Sequence, residues 1–341
     1  MTITIDPNGI SLDDETSGRL RQLLRNTCDI NGVAVRELKL AGVFGDGSSR
    51  ATVARMVSGA NDCRIHSRFL PHCIAWLAEV IGCSSTDLND YILDGKTKNA
   101  AIQEMTARRV FTHTAPQLAS YANEVKTIKA VASECWLIAD VPSASLLPEP
   151  VMQRVFRWKT ETMQQPFHDF RIELDFGRRR WGQFQESAGH GLSACGVILT
   201  LSGMDQLLRP NGACSLPPHE KDIFVETLLD RMEVYNVQIG LLNDRSEKVA
   251  NTIRPFLDRF DMLAVFNQGT SIRRLRNQSE RLLYVAADSV SQAAIVKADI
   301  DRIEFARGRA TLDPDTVREW LLEHASDDSW RKIRRRMDSK F

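Results

Sequence analysis

Four side chains near the N-terminus have the chemistry needed to contact nucleic-acid bases: Ser49, Arg50, Thr52 and Arg55. An arginine guanidinium can donate two parallel hydrogen bonds to the major-groove edge of guanine, and serine or threonine hydroxyls suit phosphates or base edges. These side chains can act together only if one rigid element presents them on the same exposed face.

The surrounding sequence predicts a short helix with these side chains on its outer face. Ser48 or Ser49 is an acceptable N-cap, and Gly59 is a suitable stop. The apolar residues that would pack inward are Val53, Ala54, Met56 and Val57. A preceding apolar-periodic segment, from Val35 to Gly42, predicts another helix. Two short helices around a turn rich in Gly and Asp are typical of a helix-turn-helix, which places its second helix in the major groove of DNA.

Three further helices are predicted around this pair. One begins near Ser17 and presents Leu20, Leu23 and Leu24 on one side, and another spans Leu70 to Ile81 before Gly82. A short fifth helix follows the serine cap at 84–85. Five helices with short connections predict a compact all-α domain over residues 17–93, preceded by a polar arm over residues 1–16.

Residues 19–92 resemble the Cro/repressor-like (Xre-type) helix-turn-helix family. The resemblance rests on three segments, Arg36 to Val43, Ser49 to Gly59 and Leu77 to Leu88. They are similar to the family patterns x-x-E-L-A-x-x-x-G-V-S, S-x-x-T-V-S-R-x-x-x-G and L-A-x-x-L-G-V-S-x-x-E-L. The turn contains extra residues from Phe44 to Gly47, the segment 60–69 is longer than usual, and Lys39 replaces the customary alanine. The resemblance covers about a quarter of the chain.

The resemblance implies sequence-specific binding to double-stranded DNA, usually by a homodimer on a palindromic operator. Base or near-base contacts would come from Ser49, Arg50, Thr52 and Arg55. Phosphate contacts would come from helix ends and nearby basic residues, for which the candidates are Arg36, Lys39, Arg64 and Arg68.

Charge is balanced overall but not locally. The chain has 44 basic and 44 acidic residues, whereas the stretch from Arg19 to Arg109 has thirteen basic residues against nine acidic ones. The run from Arg331 to Arg336 has five basic residues in six, and Arg273 to Arg276 forms another cluster. Local basic patches of this kind are sufficient to contact phosphates, although a terminal run is more often a solvated tail.

The remainder of the 341-residue chain predicts a second domain of mixed strands and helices. Residues 94–140 are interpreted as a linker with connecting helices that extend to about Ala139, residues 141–326 as a mixed α/β domain, and residues 327–341 as a basic tail. Predicted strands lie at 170–176, 197–201, 234–242, 262–266 and 282–287. Predicted helices lie at 223–232, at 249–260 with an interruption at Pro255, and from Asp313–Pro314 to about Ala325. The fold class predicted for the whole chain is α+β.

The second domain shows no recognised catalytic motif. It contains no Walker loop, no His-Glu-x-x-His, no Gly-x-Ser-x-Gly and no Gly-x-Gly-x-x-Gly after a strand. Gly189 to Gly191 could shape a pocket, and His219 with Lys221 and Glu226 approaches the His-x-Lys motif of phospholipase D-type phosphodiesterases, with Glu in place of Asp and no second copy. We therefore predict that the protein is not an enzyme and binds no cofactor.

Cysteine usage and hydropathy favour an intracellular protein. The seven cysteines form no Cys-x-x-Cys pair, so reduced thiols are expected. Cys63, His66, His72, Cys73 and Cys83 are zinc-ligand types in one region, but their spacing matches no familiar zinc module, so no metal is predicted. We find neither a secretory signal nor an apolar run long enough to span a membrane, and we expect a cytoplasmic protein without a membrane partner.

Together these features predict a transcriptional regulator that acts as a repressor and whose helical domain binds operator DNA. The second domain would mediate dimerisation or sense a small-molecule or protein effector. Two alternatives stay open on the residues alone. One is a defence-type nuclease or phosphodiesterase targeted by its helical domain, and the other is a protein-interaction module that does not bind DNA.

Overall fold

In the computed structural model, the chain as a whole is of the α+β class and divides into two compact units. The first comprises residues 1–110 together with 287–295, and the second comprises residues 111–286 and 296–341. The structure describes residues 5–6, 9–30, 35–39, 42–44, 48–60, 63–106, 109–111, 115–142, 146–163, 194–234, 236–275, 284–290, 292–326 and 331.

The first unit is built mainly from helices. They are α1 (Asp14–Ile30), a 3-10 helix (Val35–Lys39), α2 (Arg50–Ser58), a second 3-10 helix (Ser67–Phe69), α3 (Leu70–Ile81), α4 (Ser85–Asp94) and α5 (Ala100–Met105). The leucines of α1 predicted to share a face, Leu20, Leu23 and Leu24, are all fully buried. They form the centre of a core to which the shorter helices contribute side chains.

Caps confirm both predicted ends of α2, with Ser49 as the N-cap of the two serines proposed, the predicted C-terminal end of α3 and the predicted serine cap of α4. Ser49 and Ser84 each accept a hydrogen bond from the backbone amide three residues later. Gly59 and Gly82 end their helices in the left-handed conformation, with φ values of 70° and 72°. Glycine is favoured there because a Cβ would crowd the following carbonyl oxygen.

The prediction of an α-helix over Val35 to Gly42 is wrong. Of the described residues in this segment, Val35–Lys39 forms a 3-10 helix, and the Gly42 amide donates to the Lys39 carbonyl in a turn. Leu38, Val43 and Phe44 are all buried. A continuous α-helix would place Leu38 and Val43 about 140° apart around its axis. The turn brings these apolar side chains into the same core, which explains why the helix stops early.

The segment predicted as a polar arm contains regular structure. Two short antiparallel strands, β1 (Ile5–Asp6) and β2 (Gly9–Ile10), pair with each other. Ser11 then forms a bridge with His66, and α1 begins at Asp14, three residues earlier than expected. Asp13 caps α1 by accepting hydrogen bonds from the Thr16 amide and hydroxyl. These contacts lower the pKa of Asp13.

The second unit combines a mixed sheet with helices. Its strands are β4 (Glu134–Ala139), β5 (Ala194–Thr200), β6 (Val237–Leu242), β7 (Phe260–Phe266), β8 (Thr270–Leu275) and β9 (Tyr284–Asp288). The last residues of β9 belong to the first unit, and a three-residue strand, β3 (Arg109–Phe111), also crosses the unit boundary. Its helices are α6 (Ala115–Val131), α7 (Glu149–Met163), α8 (Leu201–Leu208), α9 (Pro218–Val234), α10 (Glu247–Thr252), α11 (Arg254–Arg259), α12 (Ala293–Arg307) and α13 (Pro314–Leu322), with α12 beginning in the first unit.

The six strands β4–β9 are ordered β9-β8-β7-β4-β5-β6. Strands β4, β5 and β6 run parallel, with Cys135 opposite Cys195 and Cys195 opposite Val237. Strand β7 runs antiparallel to both β4 and β8. The carboxyl ends of the three parallel strands therefore lie along one edge of the sheet.

Several predicted elements of this unit are confirmed, including strands β5, β6, β7 and β9 and helix α13 with its cap Asp313. Pro255 does mark a restart, because α10 ends at Thr252 and α11 begins at Arg254. The strand predicted at 170–176 lies outside the described residues.

The predicted helical stretch to Ala139 is wrong at its end. Helix α6 stops at Val131, and Glu134–Ala139 is the central strand β4, of which the last four residues are all buried. A short apolar run buried on both faces has no alternation, so periodicity does not distinguish it from a buried helix.

No helix among the described residues combines the length and apolar character needed to cross a membrane.

Candidate functional site

Helix α2 presents two arginines to solvent. Arg50 and Arg55 are exposed, as are Ala51, Ala54 and Ser58, while Val53, Met56 and Val57 are buried. Within the described part of the chain, neither Arg50 nor Arg55 takes part in an ion pair. Ala54, which we expected to help pack the helix, faces outward instead. The outer face of α2 therefore consists of small side chains flanked by two available cations.

The first turn of α2 is fixed by the other two predicted contact residues. Ser49 is exposed, and its hydroxyl accepts from the Thr52 amide at 3.1 Å. The Thr52 hydroxyl is half-buried and lies 2.9 Å from the Ser49 hydroxyl. Both hydroxyls are therefore used in capping the helix, which places Arg50 directly after a defined N-cap.

The four residues predicted to contact phosphates differ in exposure and in their partners. Arg68 is exposed and its guanidinium lies 4.6 Å from the ring centre of Phe69, whereas Lys39 is half-buried at the end of the first 3-10 helix. Arg64 forms an ion pair with Asp14 at 3.1 Å. Arg36 belongs to the same 3-10 helix, but its side chain lies outside the described residues. Arg68 is therefore a cation on the surface, whereas Arg64 has an acidic partner.

The first two residues of the cluster from Arg273 to Arg276 do not lie on the surface. Arg273 and Arg274 are 4% and 7% exposed. Arg273 forms an ion pair with the fully buried Asp299 at 2.9 Å, and Arg274 forms one with Asp261 at 3.1 Å. A strand with two internal arginines resembles a solvated basic segment in sequence, which is why β8 was missed. The prediction that these two arginines could contact phosphates is wrong, because both are buried against aspartates.

The other basic cluster, from Arg331 to Arg336, lies outside the described residues except for Arg331, which is exposed. Gly189 to Gly191 also lies outside them.

The cysteines and histidines near α3 do not converge. The described residues contain no group of three or more His, Cys, Asp or Glu side chains that could hold a metal ion. Cys73 is fully buried, and burial raises the pKa of its thiol to about 12. Cys73 is therefore a core residue held in its neutral form.

The residues resembling a phosphodiesterase motif have separate partners. Glu220 is buried and accepts two hydrogen bonds from Arg154, at 2.6 and 2.8 Å. These bonds hold the pKa of Glu220 below its usual value. Lys221 donates to the Leu208 carbonyl at 2.6 Å, and His219 is exposed. Lys221 of the motif and the intervening Glu220 thus connect α9 to neighbouring segments.

A polar cluster that sequence reasoning missed lies at the carboxyl edge of β4, β5 and β6. Asp140 follows β4, Thr200 ends β5, and Asp244 follows β6; all three are buried. The Thr200 hydroxyl donates to Asp140 at 2.9 Å, and Arg254 Nη1 donates to Asp140 at 2.9 Å and to Asp244 at 3.1 Å. We call these residues, together with Ser202, the carboxyl-edge cluster.

The carboxyl-edge cluster is internally satisfied. Ser202 donates to Asp244 through both its amide and its hydroxyl, and Arg254 lies between the two aspartates. One guanidinium therefore offsets much of the charge of two buried carboxylates, which would be costly to bury unpaired. Ligands of open α/β sheets bind at this edge. A polar residue at the end of a buried strand, such as Thr200, or directly after one, such as Asp140, is the sequence signal that could have located the cluster.

No protein-family model, no curated protein and no solved structure matches the chain.

Proposed function

We propose that this protein is a sequence-specific DNA-binding transcriptional regulator that contacts the major groove through helix α2. The observation that supports this best is the pair of exposed arginines on the outer face of α2, neither of which forms an ion pair with any residue that the structure describes. That face is otherwise formed by small side chains, which would allow the helix to approach the base edges closely. Arg50 and Arg55 would donate to bases, and guanine is the preferred acceptor of such bidentate contacts.

The support beneath α2 is consistent with this role. Arginine contacts to bases discriminate only if the helix is held in a defined orientation. Val53, Met56 and Val57 fix one face of α2 in the core, and the Ser49 and Gly59 caps define its ends. A surface helix stabilised only by its own backbone would not provide this precision.

Phosphate contacts would orient the protein on the duplex. Arg68 is the best placed of the predicted candidates, because it is exposed and its guanidinium lies against Phe69. Arg64 would have to exchange Asp14 for a phosphate, so we expect a smaller contribution from it.

The second unit would provide dimerisation or effector sensing. A homodimer binding a palindromic operator in the cytoplasm, with repression by promoter occlusion, is the form of regulation that we propose. The buried ion pairs of this unit, such as Arg273–Asp299, indicate structural rather than phosphate-binding roles for its central arginines.

The decisive experiment selects duplex DNA from a random library with the full-length protein and measures binding to the selected duplex and to a scrambled duplex over a range of salt concentrations. Affinity should fall steeply with salt for both duplexes, because phosphate contacts release counterions. Arg50→Ala and Arg55→Ala should each weaken binding to the selected duplex by about 1–3 kcal/mol, the usual value of one bidentate base contact.

Both variants should keep their folding stability within about 0.5 kcal/mol, because exposed, unpaired side chains contribute little to it. Asp301→Ala, an exposed change in the second unit, is the control and should leave DNA binding unchanged. Absence of any selected sequence would contradict DNA recognition and favour a protein-interaction module. Wild-type affinity in both arginine variants would contradict the assignment of α2 as the contact helix.

A further inference from the structure

The side chain of Arg21, on α1, contacts the C-terminal end of α2. Its Nε donates to the Met56 carbonyl at 2.8 Å, and its Nη2 donates to the Cys63 carbonyl. Met56 lies in the last turn of α2, where carbonyls lack the amide donors that a continuing helix would supply. A cation at this end also interacts favourably with the helix dipole. Arg21 therefore joins α1 to the end of α2 and to the chain that leaves it.

The backbone at this point is shaped to receive the guanidinium. Gly59 ends α2 with φ 70°, and its amide donates to the Arg55 carbonyl at 2.9 Å. A Cβ built on Gly59 would lie only 3.2 Å from Arg21 Nη1. The absence of a side chain at Gly59 thus leaves the space that Arg21 fills.

We propose that Arg21 is a positioning residue for Arg55, an inference that rests on the proposed function. Arg55 directly precedes Met56, so the hydrogen bond from Arg21 to the Met56 carbonyl fixes the turn of helix from which the Arg55 side chain projects. Arg50 lies in the first turn, next to the Ser49 cap, and depends less on the other end of the helix. Because the Arg21 guanidinium is directed at protein carbonyls, its effect on DNA binding is indirect.

The test uses the full-length protein, the duplex selected by the wild type and a scrambled duplex of the same composition. The measured quantity is the ratio of the two affinities for wild type, Arg21→Met, Arg55→Ala and Arg50→Ala, and for the two double variants that contain Arg21→Met. This ratio is insensitive to partial unfolding, because unfolded protein lowers both apparent affinities by the same factor. Arg25→Met, a change at an exposed arginine one turn along α1, is the matched control.

Arg21→Met should lower the ratio about tenfold, comparable to the loss of one base contact. Combined with Arg55→Ala, it should cause no further loss, because both changes remove the same contact. Combined with Arg50→Ala, the two losses should multiply. Arg21→Lys, which keeps a cationic donor group that can reach one of the two carbonyls, should restore part of the ratio. The slope of log affinity against log salt should not change.

Three results would overturn the inference while leaving the proposed function intact. They are an unchanged ratio in Arg21→Met, losses that multiply fully with Arg55→Ala, and a salt slope lower by about 0.9, which would mark Arg21 as a direct phosphate contact. If the wild type shows no preference for any sequence, the proposed function fails and this inference fails with it.

Discussion

The arginines of α2 and those of β8 are the same residue type in opposite surroundings. Arg50 and Arg55 are exposed and lack ion pairs among the described residues, whereas Arg273 and Arg274 are buried against aspartates. The buried pair contributes to folding, since its charges would otherwise be left in an apolar interior. The exposed pair contributes little to folding and is available to a ligand. Local arginine density therefore does not by itself indicate a binding surface.

The largest effect on folding stability is expected at the buried arginines of β8. Asp299→Ala should lower the free energy of unfolding by about 3–5 kcal/mol, because it leaves Arg273 buried without its carboxylate. Arg302, which also donates to Asp299 at 2.8 Å, loses its partner too. Urea unfolding followed by circular dichroism measures the change.

Asp301→Ala is the matched control two residues away. Asp301 and its partner Lys297 are both exposed, so this change should alter the free energy of unfolding by less than about 1 kcal/mol. Equal effects of the two substitutions would contradict the distinction between buried and exposed charges.

A smaller effect is expected from the cap that positions Arg50. Ser49→Ala removes the acceptor of the Thr52 amide and should destabilise the first unit by about 1 kcal/mol. Thermal unfolding measures the change. Ser85→Ala is the comparison, because Ser85 is exposed at the start of α4 but the cap there is Ser84. A loss at Ser85 as large as that at Ser49 would show that capping is not the cause.

The Arg154–Glu220 pair is intermediate in burial between the arginines of α2 and those of β8, since the Arg154 side chain is 42% exposed and that of Glu220 is 10% exposed. Hydrogen bonds from Arg154 lower the pKa of Glu220 from 4.5 in the folded state. The pair therefore stabilises the protein above the unfolded pKa, and that stability is lost as pH falls through the folded pKa. The stability difference between wild type and Glu220→Gln should accordingly shrink on acidification below pH 4.5, an effect smaller than the loss of the Ser49 cap. A difference that is constant with pH would contradict it.

Helix ends were the most predictable feature of the chain. Gly59, Gly82 and Asp313 were identified from residue type and position, and Ser49 was one of two serines proposed for the α2 cap, because caps are determined by the local backbone. The exposure of Arg50 and Arg55 followed from the periodicity of the same helix. Whether this face binds DNA is still a prediction.

Features that depend on distant residues were not predictable in the same way. Strand β4 is buried on both faces and has no alternating pattern, and the arginines of β8 are buried only because aspartates from elsewhere meet them. The contact of Arg21 with Met56 joins residues 35 positions apart. The carboxyl-edge cluster likewise forms only when three strand ends align.

The assignment of residues 287–295 to the first unit means that the polypeptide passes between the two units three times. Within the first unit, the amide of Ala294 donates to Gln103 Oε1 at 2.9 Å, and Gln103 is itself buried. A gene fragment stopping at codon 110 would omit that donor, so the Gln103 oxygen would lose the partner that it has in the complete unit. Anyone wishing to isolate the helical unit should therefore supply the later nonapeptide as well, either fused through a short linker or added in trans.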